Sequence, residues 1–285
     1  MAWRCSGSTN KELIENMWKH KLISDVRVKE AFIKVDRRHY APSQPYQDSP
    51  QYIGYQATIS APHMHAIALE HLISFMLPSD ASPAPRALDI GSGSGYLTHV
   101  MAELVGPRGL VVGVEHINAL RDKGEANMRK SAEGTQLLNS GKVKFIAADG
   151  RKGLNEPARK GEEELGTLWD AIHVGASASE VHDELINQLK SPGCMFIPVE
   201  DSHDRDSQYV WRIEKDKDGN ISRKRLFGVR YVPLTDAPKE EIFYQNALVK
   251  YCPVFGFYHT SLPYLLRGCR RCLRAIQALP TQLLR

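Results

Sequence analysis

The sequence predicts an α/β fold, a mostly parallel, doubly wound sheet with an antiparallel edge hairpin and helices ahead of it. Three observations carry this. Short apolar runs alternate with helix-length segments from residue 86 to residue 199. A glycine-rich turn, Gly91-Ser92-Gly93-Ser94-Gly95, directly follows the first of these runs. Two later runs are bridged by Asp218-Gly219-Asn220, a hairpin signal.

Ahead of the sheet, Leu13, Ile14, Met17 and Trp18 share one helical face, and Val28, Ala31, Phe32 and Val35 share another. Asp25 suits the N-cap of the second helix. Residues Tyr40 to Pro62 lack periodicity and read as a long ordered loop, of the kind that more often carries function. Pro62 fits the first position of a helix running to about Leu77, and Ser79 to Pro85 reads as a linker. The strands then follow at Ala87–Ile90, Leu110–Val114, Val143–Ala148, Trp169–Val174 and Cys194–Val199. Helices are expected over Tyr96–Val105, Ile117–Ala132 and about Val181–Leu189, and the closing hairpin pairs Gln208–Ile213 with Ile221–Val232. Asn155 to Thr167, rich in charge and poor in apolar residues, reads as a solvated surface insertion.

The chain has 285 residues, 42% hydrophobic and 25% charged, enough for an ample core. Its net charge of +4 is unevenly placed. Residues 241–285 hold six bases and one acid, whereas the other 240 residues hold 31 bases and 32 acids. The body therefore shows no polyanion footprint, and no nucleic-acid partner is expected. Cys5 and Cys194 are the body's only cysteines, which fits a reducing, cytoplasmic setting rather than a disulfide framework. No secretory h-region and no 18-residue apolar run is visible, so no membrane span is expected.

Gly-x-Gly-x-Gly after a strand lets backbone approach a ligand without a Cβ in the way. The dinucleotide fingerprint would need glycine where Tyr96 stands, and no Gly-Lys-Ser/Thr follows, so a pyrophosphate ligand is disfavoured. A purely structural turn explains the glycines equally well. Glu115, 20 residues beyond Gly95, ends the second strand, where an acid accepts hydrogen bonds from ribose hydroxyls. Asp149-Gly150 ends the third, where an acid suits an exocyclic amine. Three such strand ends in register describe a nucleoside site beyond the carboxyl ends of a sheet.

The series Asp89, Gly91, Gly93, Gly95, Glu115, Asp149 resembles the Rossmann-like class I S-adenosylmethionine-dependent methyltransferases. Further segments resemble one family within them. These are Asp48-Ser49-Pro50-Gln51, Gly54 to Ala66, Leu88 to Gly95, Asp149-Gly150-Arg151, Trp169 to Ala176 and Tyr231 to Asp236. Together they are similar to the protein-L-isoaspartate (D-aspartate) O-methyltransferases, most closely the eukaryotic members, over roughly residues 1–240. The expected organisation is a methyltransferase domain at 1–240, with helices and loop at 1–78 and the α/β core at 86–240. A basic extension occupies 241–285.

The resemblance implies a monomeric repair enzyme. It would move a methyl group from S-adenosylmethionine to the α-carboxylate of an L-isoaspartyl residue, and secondarily of a D-aspartyl residue, leaving S-adenosylhomocysteine. It implies a catalytic role for Ser60, whose hydroxyl would orient the substrate carboxylate. On the cofactor side it implies Ala57, Thr58, Ile59, Ser60, His65, Asp89, Gly91, Gly93, Ser94, Glu115, Asp149, Gly150 and Thr235. Glu115 departs from the family's usual Asp. The chemistry is compatible with the residues, because a carboxylate is ionised at neutral pH and needs no general base. Catalysis is then mainly positioning.

Alternatives remain at several points. Ser60 equally suits the cap of the helix beginning at Pro62. His63 and His65 diverge on a helix and lack a third ligand, so no metal is expected. Cys269-Arg270-Arg271-Cys272 has the spacing of half a zinc site or a redox pair, with no second pair to complete it. The tail from Leu262 to Leu284 reads as a basic amphipathic helix or as an unstructured extension. A methyltransferase for another acceptor, or a non-catalytic reader of damaged proteins, are the competing functions. The near-neutral body weighs against an RNA acceptor and the long serine loop against a small-molecule one, while the intact motifs around Ser60 and Gly91–Gly95 weigh against the non-catalytic reading.

Overall fold

The structure is a computed structural model describing residues 5–80, 82–157, 167–204 and 207–235. Residues 158–166 of the insertion expected at 155–167, and the tail with its three cysteines, lie outside the described residues.

Two amphipathic helices open the chain, α1 (Asn10–Lys19) and α2 (Val26–Lys34). Thr9 caps the first and Asp25 the second, each side chain accepting a first-turn N–H. A short 3-10 turn at Arg37–His39 follows. The loop expected at 40–62 contains a small hairpin, β1 (Gln51–Gly54) and β2 (Ala57–Ile59). Its turn holds Gly54, Tyr55 and Gln56 all at positive φ, a local strain that hid the strands from periodicity.

Helix α3 (Pro62–Met76) begins with Pro62 at its first turn and buries His65, Ala66, Leu69, Leu72, Ile73 and Met76. Its N-cap position is Ala61, which makes no side-chain cap bond. Ser60 is therefore not the cap. Asp48 supplies that bond instead, its Oδ1 accepting His63 N–H at 3.0 Å and pairing with His63 Nδ1 at 2.8 Å.

The main sheet has seven strands: β3 (Arg86–Ile90), β4 (Leu110–Glu115), β5 (Val143–Ala147), β6 (Trp169–Val174), β7 (Leu189–Glu200), β8 (Gln208–Lys215) and β9 (Ile221–Val229). Their spatial order is β5-β4-β3-β6-β7-β8-β9. The first five in that order pair in parallel, while β8 and β9 close the edge antiparallel. The intervening helices are α4 (Tyr96–Leu104), α5 (Asn118–Met128), α6 (Ala132–Asn139) and α7 (Asp183–Gln188).

Successive strand residues point into two separate cores, as a period of two requires. Ala87, Val111, Ala171, Cys194 and Phe196 join residues of α1 to α5 on one face. Leu88, Val112, Ile172, Met195 and Ile197 join α7 on the other. The continuous apolar runs of β3, β4 and β6 are thereby explained, since both of their faces are covered. The helix expected at 117–132 ends at Met128, and α6, which was not expected, follows it, with Ser131 as its cap accepting Gly134 N–H.

The strand order reverses between β3 and β6: the chain moves from β3 outward to β4 and β5, then returns to the other side of β3. A crevice at the carboxyl ends of β3 and β6 is the usual consequence.

Candidate functional site

A cleft opens at that switch point. It is lined by Thr58, Ile59, Ser60, His65, Asp89, Gly91, Ser92, Gly93, Ser94, Leu97, His173 and Gly175, and contains about 340 Å³ of empty space, its open mouth included. Eight of the residues expected from sequence meet here: Thr58, Ile59, Ser60, His65, Asp89, Gly91, Gly93 and Ser94. Ser92, Leu97, His173 and Gly175 complete the lining and were not anticipated.

The glycine loop forms the floor. Gly91, Gly93 and Gly95 all have positive φ, at 74°, 50° and 81°. Gly91 and Ser92 donate to the Val114 carbonyl at 2.8 and 3.1 Å, and Asn127 donates to the Ser94 carbonyl at 3.0 Å. The β1–β2 hairpin lies over this floor. A Cβ on Gly93 would sit 3.2 Å from Ile53 Cδ1, and Lys123 Nζ holds the Ile53 carbonyl at 2.6 Å.

Asp89 is buried at the base. Its Oδ1 pairs with His173 Nδ1 at 2.8 Å and its Oδ2 accepts the Thr98 hydroxyl at 2.5 Å. The parallel register that sets Asp89 opposite His173 makes this pair. Within the lining, Ser92 Oγ and His65 Nδ1 are buried and have no hydrogen-bond partner. His65 packs 5.4 Å from the Tyr96 ring, and burial holds its imidazole well below the usual range, hence neutral.

Ser60 is held from two sides. Its carbonyl accepts Arg37 Nη2 at 2.8 Å. Its side chain interacts with the Tyr231 phenol, whose pKa burial pushes up to about 12. Tyr231 reaches this position because its segment bridges to the end of β6: Ser177 N–H donates to the Val232 carbonyl at 2.8 Å and Leu234 N–H to the Ser177 carbonyl at 2.7 Å.

The remaining expected residues lie outside this lining. Glu115 is buried, and its two oxygens accept Gly93 N–H and Ile117 N–H, each at 3.1 Å. Burial raises its pKa more than these backbone bonds lower it. Asp149 caps the 3-10 turn at Gly150–Lys152, and both its oxygens accept the Arg151 guanidinium at 2.9 Å. That bidentate bond lowers its pKa. Gly150 is buried where a Cβ would meet Ile90 Cγ2 at 2.2 Å. Thr235 is exposed and its carbonyl accepts His116 Nδ1 at 2.8 Å. Ala57 lies in β2, partly buried against the core.

His63 is turned away toward Asp48, and no group of three potential metal ligands occurs among the described residues. No helix among them is long and apolar enough to cross a membrane.

Known proteins match this arrangement over most of its length. A Caenorhabditis elegans protein-L-isoaspartate O-methyltransferase is 44% identical over 246 residues, which is 86% of this chain and all of the relative. A Triticum aestivum protein of the same name is 42% identical over 79% of this chain and 91% of its own. Among solved structures, a Plasmodium falciparum chain described as a protein-L-isoaspartate O-methyltransferase, crystallised with S-adenosyl-L-homocysteine, is 36% identical. It superposes with a TM-score of 0.68 over 80% of this chain and 99% of its own. The sequence pattern of one family matches residues 8–239, and the chain accordingly belongs to the protein-L-isoaspartate(D-aspartate) O-methyltransferase family of enzymes.

Proposed function

We propose that this chain transfers a methyl group from S-adenosylmethionine to the α-carboxylate of L-isoaspartyl residues in damaged proteins and peptides, with D-aspartyl residues as weaker substrates. The observation that carries this reading is that one cleft joins Ser60 to the Gly91–Ser94 loop, so an acceptor at the serine faces a nucleoside ligand on the loop.

The residues fit that ligand. Gly91 and Gly93 line the cleft with no Cβ, so a ligand can lie close against the loop, and the buried Ser92 hydroxyl and His65 Nδ1 have no partner within the protein. Glu115 sits at the next strand end with four carboxylate lone-pair positions, of which Gly93 and Ile117 use two. Asp149 likewise keeps acceptor capacity beyond its Arg151 bonds. The bound cofactor supplies an electrophilic methyl on a sulfonium. Thr58, Ile59, Ser60, His65, Asp89, Gly91, Gly93, Ser94, Glu115, Asp149, Gly150 and Thr235, with Ala57 behind them, are the residues we assign to it.

The substrate carboxylate attacks as it is, ionised, and the forming O–CH3 bond replaces the breaking S–CH3 bond without a proton changing hands. No residue need act as a base, and burial makes the His65 imidazole a weak one. Ser60 orients the attacking carboxylate, and in-line approach provides the acceleration. A monomer in the cytoplasm is the setting we favour.

The direct test is methylation of an isoaspartyl peptide beside its normal aspartyl isomer, using labelled S-adenosylmethionine. Label confined to the isoaspartyl peptide supports the reading, and equal labelling of both overturns the substrate assignment.

A further inference from the structure

Arg37 is fully buried at 0% exposure, yet it forms no ion pair among the described residues. The guanidinium donates from Nη2 to the Ser60 carbonyl and also interacts with the Tyr96 hydroxyl. Nε and Nη1 are buried with no partner at hydrogen-bond geometry, and Cζ lies 4.9 Å from the Tyr96 ring centre. Asp48 acts on the guanidinium electrostatically, but its Oδ1 is committed to His63 and its Oδ2 is buried without a partner. A buried charge ordinarily has a counter-ion or shifts to its neutral form. Burial lowers this pKa only to about 10, so Arg37 stays cationic at neutral pH. The fold thus holds a positive charge directly behind Ser60, balanced across space by the buried Asp48 carboxylate but by no contact ion pair.

We propose that Arg37 is a positioning residue for the reaction, fixing the Ser60 carbonyl and using its buried charge to select an ionised carboxylate at the cleft. This rests on the substrate reading above. The charge has a directional consequence. The carboxylate arrives as an anion and leaves as a neutral methyl ester, so the attraction that draws the substrate in is absent for the product. Arg37 therefore favours both capture and release, and discriminates against amides of the same shape.

The test uses the full chain with S-adenosylhomocysteine bound, and two otherwise identical isoaspartyl peptides, one with the free α-carboxylate and one with an α-carboxamide. The readout is the ratio of their dissociation constants. The wild type is expected to prefer the carboxylate by about tenfold or more, the size of one partly screened charge pair. Arg37→Gln retains a donor for the Ser60 carbonyl but no charge. It should lower the ratio several-fold, to the part that the Ser60 hydroxyl alone supplies, by weakening the carboxylate peptide alone, with cofactor affinity unchanged. Arg37→Lys should restore most of the ratio. Equal weakening of both peptides in Arg37→Gln, or an unchanged ratio, would show a merely structural arginine and overturn the proposal. If Arg37→Gln fails to fold, Arg37→Lys and the wild type decide: a wild type that binds both peptides equally, or a folded Lys variant that does, overturns it as well. Failure of the parent reading looks different, because the wild type would then not methylate the isoaspartyl peptide at all.

Discussion

The Glu115 carboxylate accepts the backbone N–H of Gly93 at 3.1 Å, tying the end of β4 to the floor of the cleft. Its other oxygen accepts Ile117 N–H. One side chain thus fixes the glycine loop and the start of α5 together. Glu115→Ala leaves two backbone donors in place of these bonds and should cost about 2–4 kcal/mol of stability. Glu115→Asp, one methylene shorter, should keep one of the two bonds and cost about 1 kcal/mol. Thermal melts check both.

Glu115 also predicts a pH dependence. Its folded pKa is raised, chiefly by burial. A raised folded value means that this group's favourable contribution to stability is complete below the ordinary carboxylate pKa and is lost as pH rises through the folded value. Cofactor affinity should run the opposite way, because a protonated carboxyl has fewer acceptors to offer. Titration of S-adenosylhomocysteine at stepwise lower pH should show weakening in the wild type that is absent from Glu115→Gln.

Ser60→Ala removes the hydroxyl that orients the substrate and leaves the loop and glycine floor intact. Loss of a hydrogen bond to a charged group, about 1.5–3 kcal/mol, corresponds to a fall of about 10- to 150-fold in kcat/KM. Cofactor affinity should change by less than about threefold, under 1 kcal/mol. Tyr231→Phe, which removes the phenol acting on Ser60, should give a smaller loss of the same kind, about fivefold. Steady-state kinetics with an isoaspartyl peptide would expose a Ser60→Ala enzyme that turns over normally, and so reject the role.

The parts of this site that were legible in sequence are those encoded locally. The glycine loop follows directly on β3, and Glu115 ends β4, so periodicity and short motifs locate both. Contacts made by topology were not legible. Asp48 caps α3 from 15 residues away, a position Ser60 appeared to fill. His173 meets Asp89 only because β6 returns beside β3. Tyr231 meets Ser60 only after the chain has crossed the whole sheet. Arg37 stands in an Arg-Arg-His run, and nothing local marks it as buried. The early end of α5 and the existence of α6 were missed, because the capping role of Ser131 shows only in three dimensions.

Asp89 offers a test of the cleft's base. Its carboxylate joins Thr98 and His173 across the β3–β6 pair, and all three are buried. Asp89→Ala strands both partners and should cost about 3 kcal/mol or more. Asp89→Asn keeps the shape but has one acceptor oxygen where two are used, and should cost about 1–2 kcal/mol. Chemical denaturation should show a lower midpoint with an unchanged slope in both. A midpoint equal to the wild type in Asp89→Ala would mean that this network contributes nothing to the fold.

Two glycines with nearly the same backbone angle separate strain from crowding. Gly95 has φ 81° and Gly141 has φ 71°, both in the left-handed region. A Cβ on Gly141 meets nothing within 4 Å, so Gly141→Ala should cost only the backbone preference, about 1 kcal/mol. A Cβ on Gly95 would lie 2.9 Å from the Gly124 carbonyl oxygen and 3.0 Å from Phe145 Cζ. The oxygen belongs to the backbone of α5 and cannot give way without moving that helix. Gly95→Ala should therefore cost about 2 kcal/mol more than Gly141→Ala, in the range of an overpacked core. It should also weaken cofactor binding, since Gly95 N–H donates to the Ser92 carbonyl at 2.8 Å and sets the loop's curvature. Melting temperatures of the two variants, measured with and without S-adenosylhomocysteine, give both numbers. Equal destabilisation would mean that α5 yields freely, and that the loop owes its shape to the backbone angle alone.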